Sequence, residues 1–231
     1  MNSLLAVLIS LLAPAASAPA APASAPAAPV SAVNDAAGVM AGVQRFYQST
    51  TDFKAKFTQT YVYKVYGRSQ VSVGNVFFKK PGRMRWDYVT PVPKLFLSDG
   101  ATLWVYEPQE SQAFKRSLSS TQLPVALTFM SGQGRLEDEF AGALLQSSDG
   151  KSYLLQLTPK KNAGDYQSLR LKVDRSTFAV TASTVVDPVG NTNTVEFSNF
   201  ETNKGLPEKG FQFVPPAGVK VIDDPRGGGA P

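Results

Sequence analysis

Between residues 53 and 65 apolar and polar side chains alternate. Phe53, Ala55, Phe57, Tyr61, Tyr63 and Val65 share one face of an extended chain, and Lys54, Lys56, Thr58, Thr60 and Lys64 share the other. Gln59 interrupts the apolar face. Gly67 permits a reversal, and residues 69–79 read as the partner strand, apolar on both faces: Val71, Val73 and Phe77 on one, Val76 and Phe78 on the other. Pro81-Gly82 turns the chain again. Met84, Trp86 and Tyr88 then alternate with Arg83, Arg85 and Asp87, which predicts a half-buried strand. Beyond a Pro-rich break come Leu95-Phe96-Leu97, a turn at Ser98-Asp99-Gly100, and the run Leu103-Trp104-Val105-Tyr106, bulky on both faces. Both tryptophans fall in this stretch, which reads as the floor of a concave antiparallel sheet.

The period changes on either side. Upstream, Val33, Ala36, Ala37, Met40, Val43, Phe46 and Tyr47 recur at three- and four-residue steps, the stripe of an amphipathic helix capped by Asn34 or Asp35. Downstream of a short strand at 112–117, two segments break the β pattern. Leu123, Ala126, Leu127 and Met130 fit one helical face after Pro124, and Leu136, Phe140, Ala143 and Leu144 fit another whose first turn holds Glu137, Asp138 and Glu139. Alternation resumes at Tyr153, Leu155 and Leu157 and at Leu169, Leu171 and Val173. Residues 178–186, 193–200 and 210–214 predict further strands. The expected fold is mainly β with α: an unclosed antiparallel β-barrel of about nine to eleven strands, with an N-terminal helix and a two-helix lid over an apolar interior.

Leu4–Leu12 is apolar and too short to span a bilayer, and small residues follow it, as in a secretory signal. The chain therefore divides into a signal peptide at 1–18, with Ala18-Pro19-Ala20 and Val30-Ser31-Ala32 as rival cleavage sites, an Ala/Pro-rich linker at 19–32, one domain at 33–224 and a flexible tail at 225–231. The 231 residues include no His and no Cys, which removes His- and Cys-based nucleophiles, His/Cys metal sites, disulfides and lipid attachment through an N-terminal Cys. No cofactor or metal is expected. A net charge of +5 is spread along the strands, which describes a solvated face better than a nucleic-acid site. An Asp/Glu hydrolase is the weakest reading, since Asp99, the best-placed acid, is accounted for by its turn. A sheet covered by two short, Gly-interrupted helices would open cheaply, and an apolar interior of that kind suits acyl chains.

Several motifs, taken together over about residues 40–224, resemble the LolA family of periplasmic lipoprotein carriers. They are Phe53–Gln59, Gly74, Lys80-Pro81-Gly82-Arg83-Met84-Arg85-Trp86, Ser98–Pro108, Gln112, Leu155–Lys160 and Phe211–Val221. The resemblance implies a monomeric, non-enzymatic carrier in the periplasm. Such a carrier would take acylated lipoproteins from an inner-membrane lipoprotein-releasing transporter and pass them to an outer-membrane lipoprotein receptor. On this reading Phe57, Phe77, Met84, Trp86, Tyr88, Leu97 and Trp104 line the cavity. Leu123, Leu127 and Met130 on the first lid helix and Phe140 and Leu144 on the second close it. The resemblance places an Arg that latches the lid where this chain has Lys80, a point charge without the planar fork. The alternative is a lipid or lipoprotein sensor of the same architecture in envelope-stress signalling.

Overall fold

The computed structural model describes residues 35–118, 135–161 and 166–223. The expected export signal, linker, first lid helix and tail lie outside them.

Helix α1 spans Ala36–Ser49. Asp35 starts it, its carboxylate accepting the Gly38 N–H at 2.6 Å. No basic residue lies in its last turn. The missing cation comes from elsewhere in the chain, because the Lys80 ammonium donates to the Tyr47 and Gln48 carbonyls at 2.6 and 2.9 Å. The buried stripe Val39, Met40, Val43 and Tyr47 faces the sheet.

Among the described residues twelve strands form one sheet. They are β1 (Asp52–Tyr63), β2 (Arg68–Lys79), β3 (Arg83–Thr90), β4 (Lys94–Asp99), β5 (Thr102–Glu107), β6 (Gln112–Ser117), β7 (Phe140–Leu145), β8 (Ser152–Pro159), β9 (Ser168–Asp174), β10 (Val180–Val186), β11 (Thr192–Thr202) and β12 (Lys220–Asp223). Their order is β12-β6-β5-β4-β3-β2-β1-β11-β10-β9-β8-β7, so β12 and β7 are free edges and the barrel is unclosed. The sheet curls around α1. Met40 packs against β7 at Gly142, where a Cβ would come within 2.4 Å of its sulfur, while Tyr47 meets Phe53 on β1 with ring centroids 6.2 Å apart. Those two helix residues are separated by about 10 Å along the axis. In a flat sheet β7 and β1, five places apart, would lie about 24 Å from each other.

Three expectations change. Leu136, Phe140, Ala143 and Leu144 do not share a helix: α2 is the single turn Leu136–Glu139, and Phe140 begins β7. Residues 210–214 do not form a strand, since Glu208–Phe211 is a 3-10 turn and the chain beyond it is irregular until β12. Finally, β12 pairs with β6 in parallel, so the sheet is not wholly antiparallel.

That last strand is reached by a wrap around the outside of the sheet. At the end of β11 the chain turns through Asn203 (φ 55°) and Gly205 (φ 71°). Buried Asp52 holds the turn, its carboxylate accepting the Lys204 and Gly205 N–H groups at 2.8 and 3.0 Å, while Asn203 Oδ1 accepts the Thr51 N–H at 2.7 Å. From there the segment crosses the outer face of β2–β5. Lys79 donates to the Leu206 carbonyl at 2.6 Å, Arg85 donates to that of Gly210 at 3.1 Å, and the 3-10 turn lies against β3 and β4.

Candidate functional site

In an antiparallel pair, residues directly opposite each other point to the same face. The registers Phe57↔Gly74↔Tyr88, Val76↔Trp86↔Phe96 and Phe78↔Met84↔Ser98 therefore define the inner face, the one that α1 packs on. Followed along β1, that face is layered. Phe53 lies deepest, stacked between Phe78 and Phe200 at 5.4 and 5.1 Å. Next comes an aromatic layer in which Phe57 meets Trp86 at 5.0 Å and Tyr88 at 4.8 Å, with Phe197 and Phe96 at its flanks. Gly74 makes this layer possible, because a Cβ there would sit 2.7 Å from the Phe57 ring and 2.1 Å from the Asp87 carbonyl oxygen. Trp86, Tyr88 and Phe197 are only half-buried although they point inward. Burial pushes the Tyr88 hydroxyl above its ordinary pKa.

Beyond the aromatics the face turns polar. Gln59 Nε2 donates to Asn193 Oδ1 at 2.9 Å, both residues are buried, and Ser72 lies opposite Gln59. Tyr61 and Tyr63 follow, half-buried, with ring centroids 4.5 Å apart. On β4 and β5 the same face carries the Lys94–Glu107 pair. Burial raises the Glu107 pKa, but hydrogen bonds from Lys94 and Gln112 and the Lys94 charge outweigh it and hold the carboxyl below its ordinary value.

Six of the residues expected to line the interior do face it: Phe57, Met84, Trp86 and Tyr88 on one side, Phe140 and Leu144 on β7 at the far edge. Met84, at 2% exposure, serves as core between Phe78 and Ser98. Three others do not face it. Phe77, Leu97 and Trp104 fall in the row Lys54↔Phe77↔Arg85↔Leu97↔Trp104↔Lys115 on the outer face. The wrap covers the middle of that row. Leu97 is 0% and Phe211 2% exposed, and Phe213 meets Trp104 and Tyr106 at 5.2 and 5.3 Å. Leu123, Leu127 and Met130 lie outside the described residues.

The Lys80 ammonium, expected as a lid latch, donates to the last carbonyls of α1, where burial holds its pKa below the ordinary lysine value; the lid helix it was expected to fasten lies outside the described residues. Asp99 has the turn role expected of it, its Oδ1 accepting the Ala101 and Thr102 N–H groups at 2.8 and 2.7 Å. Sequence reasoning missed the amide pair. Gln59 showed as a polar break in an apolar face, but nothing local marked Asn193, 134 residues away, as its partner.

The profile of a family described as "Outer membrane lipoprotein carrier protein LolA" matches residues 48–214, from the end of α1 into the wrap. An outer-membrane lipoprotein carrier protein of Dechloromonas aromatica is 29% identical over 188 residues, 81% of this chain and 89% of the relative. Another, of Methylibium petroleiphilum, is 32% identical over 169 residues, 73% of this chain and 81% of the relative. Among solved structures, an uncharacterized conserved protein from Thermus thermophilus superposes with a TM-score of 0.54 at 11% identity, covering 81% of this chain and 98% of that one, a likeness of fold. With the unclosed, helix-filled sheet and the sequence match extending over most of the domain, the chain belongs to the LolA family of outer-membrane lipoprotein carrier proteins.

Proposed function

We propose that the chain works in the periplasm as a carrier whose concave face holds the acyl chains of lipoproteins. It receives them from a releasing transporter at the inner membrane and yields them to a receptor at the outer membrane. The observation that carries this reading is the layer of Trp86, Tyr88 and Phe197, large aromatic side chains that point into the curl of the sheet yet stay half-buried. Acyl chains laid across them would gain about 0.8 kcal/mol per buried CH₂ relative to water, which keeps a lipoprotein bound while it crosses the aqueous space. Handover then follows from a difference in affinity between successive apolar sites.

Transfer of a lipoprotein from inner-membrane vesicles tests the reading. Trp86→Glu puts a charge in the aromatic layer and is expected to abolish release into the soluble fraction while the variant keeps its far-UV circular dichroism. Undiminished release by a folded Trp86→Glu protein contradicts the assignment.

A further inference from the structure

The amide pair on the concave face is out of place in a purely apolar holder. Gln59 is 4% and Asn193 5% exposed, and their single mutual hydrogen bond uses Gln59 Nε2 and Asn193 Oδ1. Asn193 Nδ2 is buried and donates to no acceptor. Buried primary amides ordinarily find partners for both N–H groups, since an unmatched donor forfeits its hydration. The charge pattern narrows what such a donor would accept. On the inner face the cross-strand neighbours of the pair are Ser72 and Val195 beside Gln59, and Tyr61 and Val185 beside Asn193, all uncharged. With no cation there, a carboxylate or phosphate would be buried without a counter-charge, whereas a neutral carbonyl oxygen carries no such cost. The position is equally specific: the pair lies between the aromatic layer at Phe57 and the half-buried tyrosines Tyr61 and Tyr63.

We propose that the Gln59–Asn193 pair is a hydrogen-bond site for the ester carbonyl of a bound acyl chain. Asn193 Nδ2 donates to the carbonyl oxygen, so that the hydrocarbon runs toward Phe57 and Trp86 and the polar end toward Tyr61 and Tyr63. This rests on the reading that the concave face holds acyl chains, and adds to it a fixed depth and direction for the cargo. It also distinguishes acyl esters from ethers and hydrocarbons of the same length, because the ester places a carbonyl acceptor one residue step above the aromatic layer and those molecules do not.

The test compares two probes that differ only in that acceptor: a short-chain 1,2-diacyl phosphatidylcholine and the matching 1,2-di-O-alkyl ether. Binding of each to the full chain is measured by titration calorimetry below the probes' micelle concentrations. The diacyl ester is expected to bind about tenfold tighter than the ether, the ratio for one well-made hydrogen bond. Asn193→Leu is expected to bring the ester down to the ether's affinity and leave the ether's unchanged. Carbonyl-¹³C-labelled ester should show a lowered C=O stretching frequency when bound to the natural chain and not when bound to Asn193→Leu. Equal affinities of the natural chain for ester and ether, a comparison that needs no variant, overturn the amide role and leave acyl binding intact. An ester preference that survives in Asn193→Leu likewise overturns the assignment. Failure of both probes to bind overturns the acyl-chain reading and the proposal with it.

Discussion

The two faces of β3–β5 are built from the same kinds of residue and are covered by different parts of the chain. Inside, Trp86 and Tyr88 stand half-buried in an aromatic layer beside buried Met84 and Phe96; outside, Leu97 is sealed, and Trp104, also half-buried, packs against Phe213 of the wrap. A tryptophan on a strand is thus no sign of a ligand surface. What separates the two is the cover. The outer face is covered at Leu97 by the chain's own C-terminal segment, tied down by Asp52, Lys79 and Arg85, whereas α1 packs on the inner face across β7, β8 and the foot of β1 and leaves the layer around Trp86 partly open. Residues on the closed face should therefore govern stability, and those on the open face binding.

The largest separation is expected from one substitution on each face. Leu97→Ala, which empties a sealed site, should cost about 3 kcal/mol in urea unfolding and leave the affinity for an acyl probe unchanged. Trp86→Ala should do the reverse, costing less than half as much stability while lowering probe affinity at least tenfold. Equal effects of the two on binding would remove the distinction between the faces.

A smaller effect is expected where the wrap begins. Asp52→Ala leaves two backbone N–H groups without their acceptor, at a cost of about 2 kcal/mol. Amide exchange should accelerate through residues 206–223 before it does in β1. Lys80→Ala removes the cation at the end of α1 and should cost about 1 kcal/mol, with Lys80→Arg close to neutral because either cation reaches two carbonyls. If Lys80→Ala instead altered only cargo release, the residue would be acting as a latch.

The smallest effect is on the acid side. Asp149 and Asp174 have their carboxyls held below the ordinary range, Asp149 chiefly by the hydrogen bond from Lys172 and Asp174 chiefly by that from the Ser176 hydroxyl, and Glu107 is lowered as well. The folded chain then binds fewer protons than the unfolded one as pH falls through the carboxylate range. Stability should be fully present above about pH 5 and decline progressively below it, with no transition near pH 6–7 since the chain has no His. A midpoint that stayed constant from pH 6 to 3 would contradict this.

How much of this was visible in the sequence depended on whether one face or two were apolar. The strand at 52–63 carried lysines on one side and phenylalanines on the other, and its inner face was legible residue by residue. Phe77, Leu97 and Trp104 lie opposite to the face expected of them because their strands are apolar on both faces, and local alternation cannot say which face a distant segment will cover. The strand at 140–145 was hidden by a different cause. Its inward positions are Phe140, Gly142 and Leu144, and Gly142 must lack a side chain because Met40 lies where a Cβ would go. With the middle position silent, Leu136, Phe140, Ala143 and Leu144 fitted a helical stripe instead. The parallel edge strand at 220–223 was invisible for a third reason, since its pairing is set by the path of the wrap.

The most direct test places a photo-reactive phenylalanine analogue at position 86 or at position 104 and irradiates the carrier after loading it with a lipoprotein. If the concave face holds the acyl chains, mass spectrometry finds the acyl moiety attached at position 86 and none at 104. Attachment at 104 with position 86 unlabelled would place the cargo on the face that the chain's own wrap covers, and would contradict the account.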